Sequence, residues 1–436
     1  MNPPNTPPLG TVFGRGGDQA PRMSRVLSGA KLVLAYAFIP VFAVVGIVIA
    51  TMARWARPTD LLNPRLVWGT TPIINFSYWS RAMADAGFDS MTLVSTPYSI
   101  NRREDWDDIL SERFRLFPAP TRKHAALLWS LWAKDVFFMS FDGFLGPGVP
   151  GFRVQGFLLR WAKRKSVLLP YGSDAYVYGR VRSSATLHGL LLSYPDAARR
   201  QREISRRVDY WSRHADFVIA GFMSFDGIGR YDVLTPSPLT LDLSEWKPLR
   251  EASTADGRNG TVVIAHAPNH RGFKGSEFIA AAVQHLVAEG LSVELRLLEG
   301  VPNSEVRRVL SLEVDILVEQ LLFSGHGLNA LEGMSVGLPV VGNLASLDLL
   351  GPFRWYTFFR GCPIVSATPD NLVEVLRELV TRPEWRAELS KSGAKYVRNH
   401  HGPKAAVHLF TQVLLALRTG ESIQALYHPL NVNSPS

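Results

Sequence analysis

The 436-residue chain is poor in the residues that build disulfides and metal centres. Its single cysteine, Cys362, cannot form a disulfide within the chain, and this fits a reducing compartment. Its histidines are not spaced as metal ligands, and no Asp-x-Asp string stands in a suitable loop. We therefore expect a site that works without a metal and without a bound cofactor.

Acidic residues are also scarce, with 38 Asp and Glu against 47 Lys and Arg, and the formal charge is +9. This excess predicts anionic partners such as phosphates, acidic lipid surfaces or nucleic acid. Nucleic acid is not expected, because the sequence has no platform of aromatic and basic residues for base stacking and no known reader motif.

Charge is missing altogether from residues 32–52, an apolar stretch long enough to cross a bilayer. It is too long for the apolar core of a signal peptide. We predict a mobile tail over residues 1–30, rich in Pro, Gly and Arg, and a membrane helix over residues 31–57. A buried core helix, or a helix lying in the membrane interface without crossing, is the alternative. Basic residues flank both ends, so the positive-inside rule does not fix the orientation.

The rest of the chain alternates strand-like and helix-like segments, which is typical of a parallel sheet covered on both faces. A chain this long exceeds one ordinary core, so two domains are expected. We predict an α/β fold with two doubly wound domains facing a cleft. The expected units are residues 58–240, residues 241–404 after a proline-marked hinge, a helix over residues 405–418 that could cross back, and a tail over residues 419–436.

The most informative motif is the segment 266–275, which follows the strand-like run 261–265. Arg271 can bind a phosphate with two parallel hydrogen bonds, and Lys274 adds a point charge. The glycines beside them permit close approach of the backbone, and the following helix adds the positive end of its dipole. A surface basic loop is the alternative. His266 is expected to line the cleft or to be structural.

A second glycine pair, Gly325 and Gly327, flanks His326 just before a helix and again offers amide donors to phosphate. Glu332 stands about one turn inside that helix, where its carboxylate could accept hydrogen bonds from ribose hydroxyls. An acid within the apolar run 328–336 is costly to bury without partners, which favours a functional role over a solvated helix acid.

At this point the chain resembles retaining glycosyltransferases of the GT-B fold, the large group that builds bacterial polysaccharides and glycolipids. The matching segments are 266–275, 315–320, 325–332 and 337–339, and the ending from 361 to 401 is similar. The first half resembles the acceptor domain more weakly, at 172–174, 214–216 and 241–248. The resemblance implies two Rossmann-like domains, a nucleotide-sugar donor and retention at the anomeric carbon.

The resemblance also assigns roles and shows one departure. The acid equivalent to Glu332 binds the donor ribose, whereas the family's earlier glutamate is replaced here by Ser324. Asp174 follows a strand and is expected to act as a base or to anchor an acceptor hydroxyl, or else to form an Asx-type turn. We predict Arg271, Lys274 and Asp174 as catalytic, and donor contacts from Gly69, Thr70, His266, Arg271, Lys274, Ser324, Gly325, His326, Gly327, Leu328 and Glu332. For Gly69 and Thr70 an ordinary strand-to-loop turn is the alternative.

The expected protein is a glycosyltransferase attached to the inner (cytoplasmic) membrane, single-pass or monotopic, with its catalytic domains in the cytoplasm. Its expected partners are a nucleotide-sugar donor, a lipid-linked or polysaccharide acceptor and the membrane. Two alternatives remain open: a nucleotide-sugar epimerase with the same fold, and an inactive scaffold of a polysaccharide assembly complex, which Ser324 suggests.

Overall fold

A computed structural model describes residues 22–221, 225–235, 238–346 and 361–427. Its first sheet has seven parallel strands in the order β3-β2-β1-β4-β5-β6-β7. Strands β1, β4 and β6 are buried along their whole length, as expected for a sheet covered on both faces. The strands are β1 Leu66–Thr70, β2 Ser90–Val94, β3 Asp108–Ile109, β4 Val136–Met139, β5 Lys165–Leu168, β6 Phe217–Ala220 and β7 Val233–Leu234.

The second sheet has five parallel strands in the order β12-β11-β10-β8-β9. The predicted α/β fold with two parallel sheets is confirmed. In both sheets the strand order reverses beside the first strand, at β1/β4 and at β8/β10, and this is where doubly wound folds bind ligands. The strands are β8 Val262–His266, β9 Val293–Leu297, β10 Ile316–Val318, β11 Val340–Gly342 and β12 Val365–Ser366.

Helices cover the faces of both sheets. Those of the first half are α1 Arg22–Ala56, α2 Ile74–Asp85, α3 Leu110–Arg113, α4 Arg122–Ala133, α5 Phe152–Trp161, α6 Ser184–Ser193, α7 Pro195–Arg199 and α8 Gln201–His214. Those of the second half are α9 Arg271–Lys274, α10 Ser276–Ala288, α11 Asn303–Leu312, α12 Leu328–Ser335, α13 Leu372–Thr381, α14 Pro383–His400 and α15 Pro403–Thr419.

Helix α1 starts at Arg22, so the predicted mobile tail over residues 1–30 is too long at its end. No proline interrupts residues 22–31, and this lets the helix extend backwards. By length and composition, Ala37–Ala56 could cross a membrane. One side of this segment packs against the first domain, and Phe42, Ala50 and Ala53 are buried there.

The last helix, α15, leaves the second sheet and packs on the first. Phe410 lies edge-on to Trp68, with ring centroids 4.8 Å apart, and also contacts Trp79 at 5.4 Å. The polar tail predicted from residue 419 is not loose throughout. Gln424 accepts a hydrogen bond from the Leu234 amide at 2.6 Å and donates one back to its carbonyl, so residues up to 427 lie against β7.

Candidate active site

The crevice edge of the second sheet is built by the residues that follow β8 and β10. His266 ends β8, and its imidazole bonds the Val318 carbonyl at 2.7 Å and the Ser276 hydroxyl at 2.8 Å. Burial lowers the pKa of His266 to about 4, so the ring is neutral at physiological pH. These contacts tie β8, β10 and α10 together behind the glycine-flanked turn. The structure thus shows the structural role that we gave as one of two options for His266, and its donor contact stays a prediction.

Lys274 lies at the end of the short helix α9 and points inward. Its ammonium is 2.9 Å from the Glu319 carboxylate and 2.7 Å from the Gln320 side-chain oxygen, and its side chain is 13% exposed. Gly275 follows with φ of 78°, a left-handed conformation that favours glycine and lets α10 start at once. The turn thus places a cation directly beside the end of β10.

Arg271 occupies the rim of the same turn. Its guanidinium donates to Glu299, which follows β9, with Nε 2.6 Å from the carboxylate, and its side chain is 39% exposed. Hydrogen bonding to Arg271 lowers the pKa of Glu299. The two predicted phosphate-binding cations therefore differ in setting, since the Lys274 side chain is 13% exposed beside the crevice and that of Arg271 is 39% exposed at its edge.

The glycine pair meets the same carboxylate as Lys274. The Gly327 amide donates to both Glu319 oxygens, at 3.0 and 3.1 Å, and Gly327 precedes α12. A Cβ on Gly327 would lie 2.6 Å from Glu319 Oε1, so the close approach requires glycine. Gly325, with φ of 121°, donates to the Asn343 carbonyl at 2.8 Å. A cation and a backbone donor thus converge on one anionic group.

Sequence reasoning missed the role of Glu319. Only 2% of the residue is exposed, and its carboxylate links Lys274 to Gly327, residues far apart along the chain. The signal was an acidic residue directly after the buried strand β10, at the end where parallel strands present side chains to ligands. Glu319 stands five residues before Ser324, the position to which the resemblance assigns an acid.

Glu332 is buried on α12, with 5% of the residue exposed. Its carboxylate accepts hydrogen bonds from Asn329 at 3.1 Å and Asn303 at 3.5 Å, and burial raises its pKa to about 7. The alternative of a solvated helix acid is therefore wrong. The pKa of Tyr78 on α2 is raised, chiefly by burial and next by the charge of Glu332. Glu332 therefore lies close to the first domain.

The remaining predicted donor contacts in this half are also buried or half-buried. The Ser324 hydroxyl donates to the Asn343 side chain at 3.1 Å, and Leu328 starts α12. His326 is fully buried, with its ring centroid 5.4 Å from that of His401, and burial lowers its pKa to about 4. His326 is therefore neutral and packs inward, so the phosphate-binding capacity of this loop rests on its backbone.

On the first sheet, Gly69 and Thr70 end β1 at the strand-order reversal. A Cβ on Gly69 would lie 2.1 Å from the Leu93 carbonyl oxygen of β2, so sheet packing alone requires this glycine. The Thr70 hydroxyl donates to the Phe144 carbonyl in the loop after β4. The predicted alternative of a strand-to-loop turn accounts for both contacts, and neither points to a ligand.

Asp174 is 1% exposed and holds two loops together. Its carboxylate accepts backbone hydrogen bonds from Phe141 at 2.9 Å, Tyr171 at 3.0 Å and Gly172 at 2.9 Å. Burial, and then the nearby Asp142, raise its pKa to about 7. The bonds from Tyr171 and Gly172 are the local turn that we gave as the alternative to a catalytic role.

Asp142, which sequence reasoning did not single out, lies beside Asp174 in the loop after β4. Arg207 forms an ion pair with it at 2.7 Å, and the Tyr171 hydroxyl donates to it at 3.1 Å. Lys123 on α4 lies close to the same loop, since its ammonium would be 3.1 Å from a Cβ on Gly146. Burial lowers the pKa of Lys123, and the charge of Asp142 acts in the opposite direction. We call Asp142, Asp174, Tyr171, Arg207 and Lys123 the first-sheet polar cluster.

The basic residues of segments 163–165 and 199–207 have different settings in the structure. The Arg164 side chain is fully buried and binds Asp135 at 3.2 Å, and Arg207 serves the polar cluster. Lys165 forms an ion pair with Asp216 at 3.0 Å. Lys163, in contrast, is exposed. Buried pairs of this kind brace the fold, whereas Arg199, Arg200, Arg202 and Arg206 are exposed.

The two halves meet at the 271–275 turn. Helix α6 of the first half packs on α9, where the Phe273 amide donates to the Ser193 hydroxyl at 2.9 Å. Phe273 stacks on Phe323 with ring centroids 5.4 Å apart and is 6.2 Å from Tyr176. Gly189 permits this approach, because a Cβ there would be 3.1 Å from Phe273 Cα. Helix α6 of the first half therefore covers the 271–275 turn of the second half.

Within the described ranges, no group of three or more His, Cys, Asp or Glu side chains is arranged to hold a metal ion. No protein-family model matches the chain, and no curated protein sequence matches it.

Solved structures do match. Sucrose-phosphate synthase from Thermosynechococcus elongatus is similar, with a TM-score of 0.53 and 14% identity, over 82% of this chain and 99% of that chain. Anabaena HepE (Alr3699) in complex with UDP-glucose is similar, with a TM-score of 0.50 and 13% identity, over 80% of this chain and 99% of that chain. At these identities the likeness concerns the fold alone. The fold is that of the GT-B glycosyltransferases, as the sequence resemblance implied.

Proposed function

We propose that the protein is a glycosyltransferase that moves a sugar from a nucleotide-sugar donor to a polysaccharide or lipid-linked acceptor. The observation that carries the proposal is the convergence of the Lys274 ammonium and the Gly327 amide on one carboxylate at the β8/β10 crevice. A cation and a main-chain donor aimed at one point form an anion site, and the departing group in sugar transfer from such a donor is a nucleoside diphosphate.

On the donor side, negative charge grows on the diphosphate as the bond to the sugar breaks. Lys274 and the Gly327 amide are held at the crevice by Glu319, so a diphosphate would share these donors with that carboxylate, while the start of α10 adds its positive end. Arg271 supplies a second cation from the rim once it is shared between Glu299 and phosphate. Glu332 is proposed to accept hydrogen bonds from the ribose.

On the acceptor side, the first-sheet polar cluster stands at the carboxyl edge that a second substrate would reach. Two neighbouring carboxylates, Asp142 and Asp174, offer acceptors for sugar hydroxyls, and the raised pKa of Asp174 suits proton exchange near neutral pH. Retention of configuration is proposed from the resemblance alone. The expulsion would then take place on the face from which the acceptor attacks, with the departing phosphate removing the proton.

A nucleoside diphosphate sugar is also the ligand in the HepE complex with UDP-glucose, a protein of the same fold. This supports the donor class and leaves the base and the sugar open. The apolar helix supports membrane attachment, and the use of nucleotide sugars supports a cytoplasmic position for both sheets. No observation favours an epimerase, for which the crevice would need a base positioned at the sugar ring.

The proposal is tested by incubating the purified full-length chain in mild detergent with a panel of nucleotide sugars. Thermal shift identifies the donor first, because a bound ligand stabilises the folded state by mass action. Release of nucleoside diphosphate is then measured with and without an acceptor extract. We expect release that depends on Lys274 and Arg271 and rises with acceptor. A scaffold releases none, and an epimerase converts the donor with no acceptor present, so either outcome rejects the proposal.

A further inference from the structure

The apolar segment of α1 contacts the first domain along its whole length. At one end, the Phe42 ring lies edge-on to His124 of α4, with centroids 4.6 Å apart. In the middle, Gly46 admits the Leu158 side chain of α5, which would lie 2.5 Å from a Cβ there. At the other end, Trp161 donates to the Thr51 hydroxyl at 2.8 Å. The helix is therefore fastened to α4 and α5.

This fastening conflicts with a helix that crosses the bilayer. Residues 37–56 correspond to about 30 Å of helix, the full thickness of the hydrocarbon core. If they spanned it, α4 and α5 would enter the hydrocarbon beside them, with the exposed Arg153 and Arg160. Arg164 also ties the segment to the domain, by donating to the Arg57 carbonyl at 2.8 Å. Freeing the helix would leave that buried cation without this contact.

The opposite face of the same segment is apolar and exposed. Val44 is 64% exposed, Val48 54%, Met52 55% and Trp55 77%, and the spacing places them on one side of the helix. On α5, Phe157 and Trp161 extend this surface, with their rings stacked 6.0 Å apart. We call these residues the apolar stripe: Val44, Val48, Met52, Trp55, Phe157 and Trp161.

Positive charge borders the apolar stripe. The Arg54 guanidinium lies 5.4 Å from the Trp161 ring, and Arg160 on α5 is exposed. Helix α8 packs against α5 through Tyr210, and it carries the exposed Arg206 and Arg213. Aromatic and aliphatic side chains with a basic border are the composition of helices that lie in a bilayer surface and contact acidic headgroups.

We propose that α1 lies along an anionic bilayer surface, with the apolar stripe inserted at the boundary of headgroups and acyl chains, and that it does not cross the membrane. The inference deepens the membrane attachment included in the proposed function. It has a consequence for the acceptor. Lys123 of the first-sheet polar cluster is the chain neighbour of His124, which packs on α1, so a lipid-linked acceptor in that bilayer would approach the cluster from close by.

The first test measures flotation of the full chain with vesicles. Wild-type protein should float with phosphatidylserine–phosphatidylcholine vesicles and less with pure phosphatidylcholine. Val44→Glu/Val48→Glu should lower the bound fraction by about tenfold, since two charges enter the apolar boundary. Val287→Glu is the matched control, because Val287 is 50% exposed on α10 of the second sheet, and it should float as wild type does. Circular dichroism and thermal unfolding confirm that each variant is folded.

The second test separates lying from crossing. In a Cys362→Ser background, a single cysteine is placed before the helix, Thr6→Cys, or in the first domain, Glu104→Cys. Both should react with an impermeant maleimide from the same side of sealed vesicles. Labelling from opposite sides overturns the proposal, as does undiminished flotation of the Val44→Glu/Val48→Glu variant. Self-association without vesicle binding would assign the stripe to a second copy and also overturn it.

Donor hydrolysis in detergent distinguishes a failure of the membrane-surface proposal from a failure of the proposed function. The Val44→Glu/Val48→Glu variant should release nucleoside diphosphate at the wild-type rate, because the stripe is remote from the anion site. If wild-type protein floats but hydrolyses no donor, the proposed function fails and the surface assignment stands. If hydrolysis is normal and flotation does not depend on the stripe, the surface assignment fails alone.

Discussion

The crevice edges of the two sheets both hold paired carboxylates, but the groups that hold them differ. On the second sheet, a buried lysine and a glycine amide surround one carboxylate, so the edge is arranged to hold negative charge. On the first sheet, two neighbouring carboxylates, Asp142 and Asp174, are held by an arginine and by backbone amides. Under the proposed function, one edge would bind the phosphates of a donor and the other would meet hydroxyl groups.

Replacing Lys274 should have the largest effect on this comparison. Lys274→Ala removes the buried cation, and we expect transfer to fall by about 100-fold to 1,000-fold, the scale for loss of one fixed transition-state donor. Release of nucleoside diphosphate measures it. Lys395→Ala, at an exposed lysine of α14, is the control and should be neutral. Unchanged transfer in Lys274→Ala would end the assignment of this edge to the diphosphate.

Asp174→Asn tests the first sheet. The asparagine keeps the shape but loses one acceptor oxygen, so at least one of the three backbone donors at this carboxylate loses its bond. We expect the free energy of unfolding to fall by about 1–3 kcal/mol, the cost of leaving a buried polar group unsatisfied. Denaturant unfolding measures it. A variant of wild-type stability that lacks transfer activity would instead favour the catalytic role that we predicted.

Glu319→Gln tests how the carboxylate at the edge of the second sheet affects binding of a diphosphate. The substitution removes the negative charge that neutralises Lys274 but keeps a hydrogen-bond acceptor for it. We expect tighter binding of a nucleoside diphosphate, by about tenfold, because the ligand no longer competes with a carboxylate for the ammonium. Isothermal titration calorimetry gives the Kd. Weaker binding would mean that Glu319 chiefly positions the Gly327 loop.

The smallest expected effect is a pH dependence of stability at Glu332. Burial raises its pKa from 4.5 to about 7, so the folded state favours the neutral carboxyl. Its stabilising contribution is complete below pH 4.5 and is lost as the pH rises through 7. Without ligand, wild-type protein should therefore lose more in Tm between pH 5 and pH 8 than Glu332→Gln does. Equal losses would show that this carboxyl does not titrate in that range.

Much of the fold follows from local pattern. The strand-like run 261–265 matches β8 to within one residue, because short apolar runs between polar turns are typical of buried parallel strands. Boundaries were less certain where helix formers continue past a charge, as at the start of α1. The short strands β3, β7 and β12 escaped detection, since two residues carry no periodicity.

The site was predicted only where glycine and charge occur together in the sequence. Arg271, Lys274 and the 325–327 loop were found in this way. Glu319, Asp142 and Arg207 were not, because their roles depend on partners far away in the chain, which no local spacing reveals. Conversely, Gly69 and Thr70 resemble ligand-loop residues in sequence, although sheet packing and a backbone carbonyl account for them.

Because α15 returns to the first sheet, the chain crosses between the two halves twice, and we call the two crossing segments passages. The passages run side by side, since the Leu241 amide donates to the His401 carbonyl at 2.8 Å, and Trp79 holds the first passage by donating to Pro238 at 3.0 Å. Two adjacent connections allow the halves to rotate about one axis and oppose rotation about other axes. Opening the crevice to exchange substrates should therefore be a bend about residues 238–241 and 401.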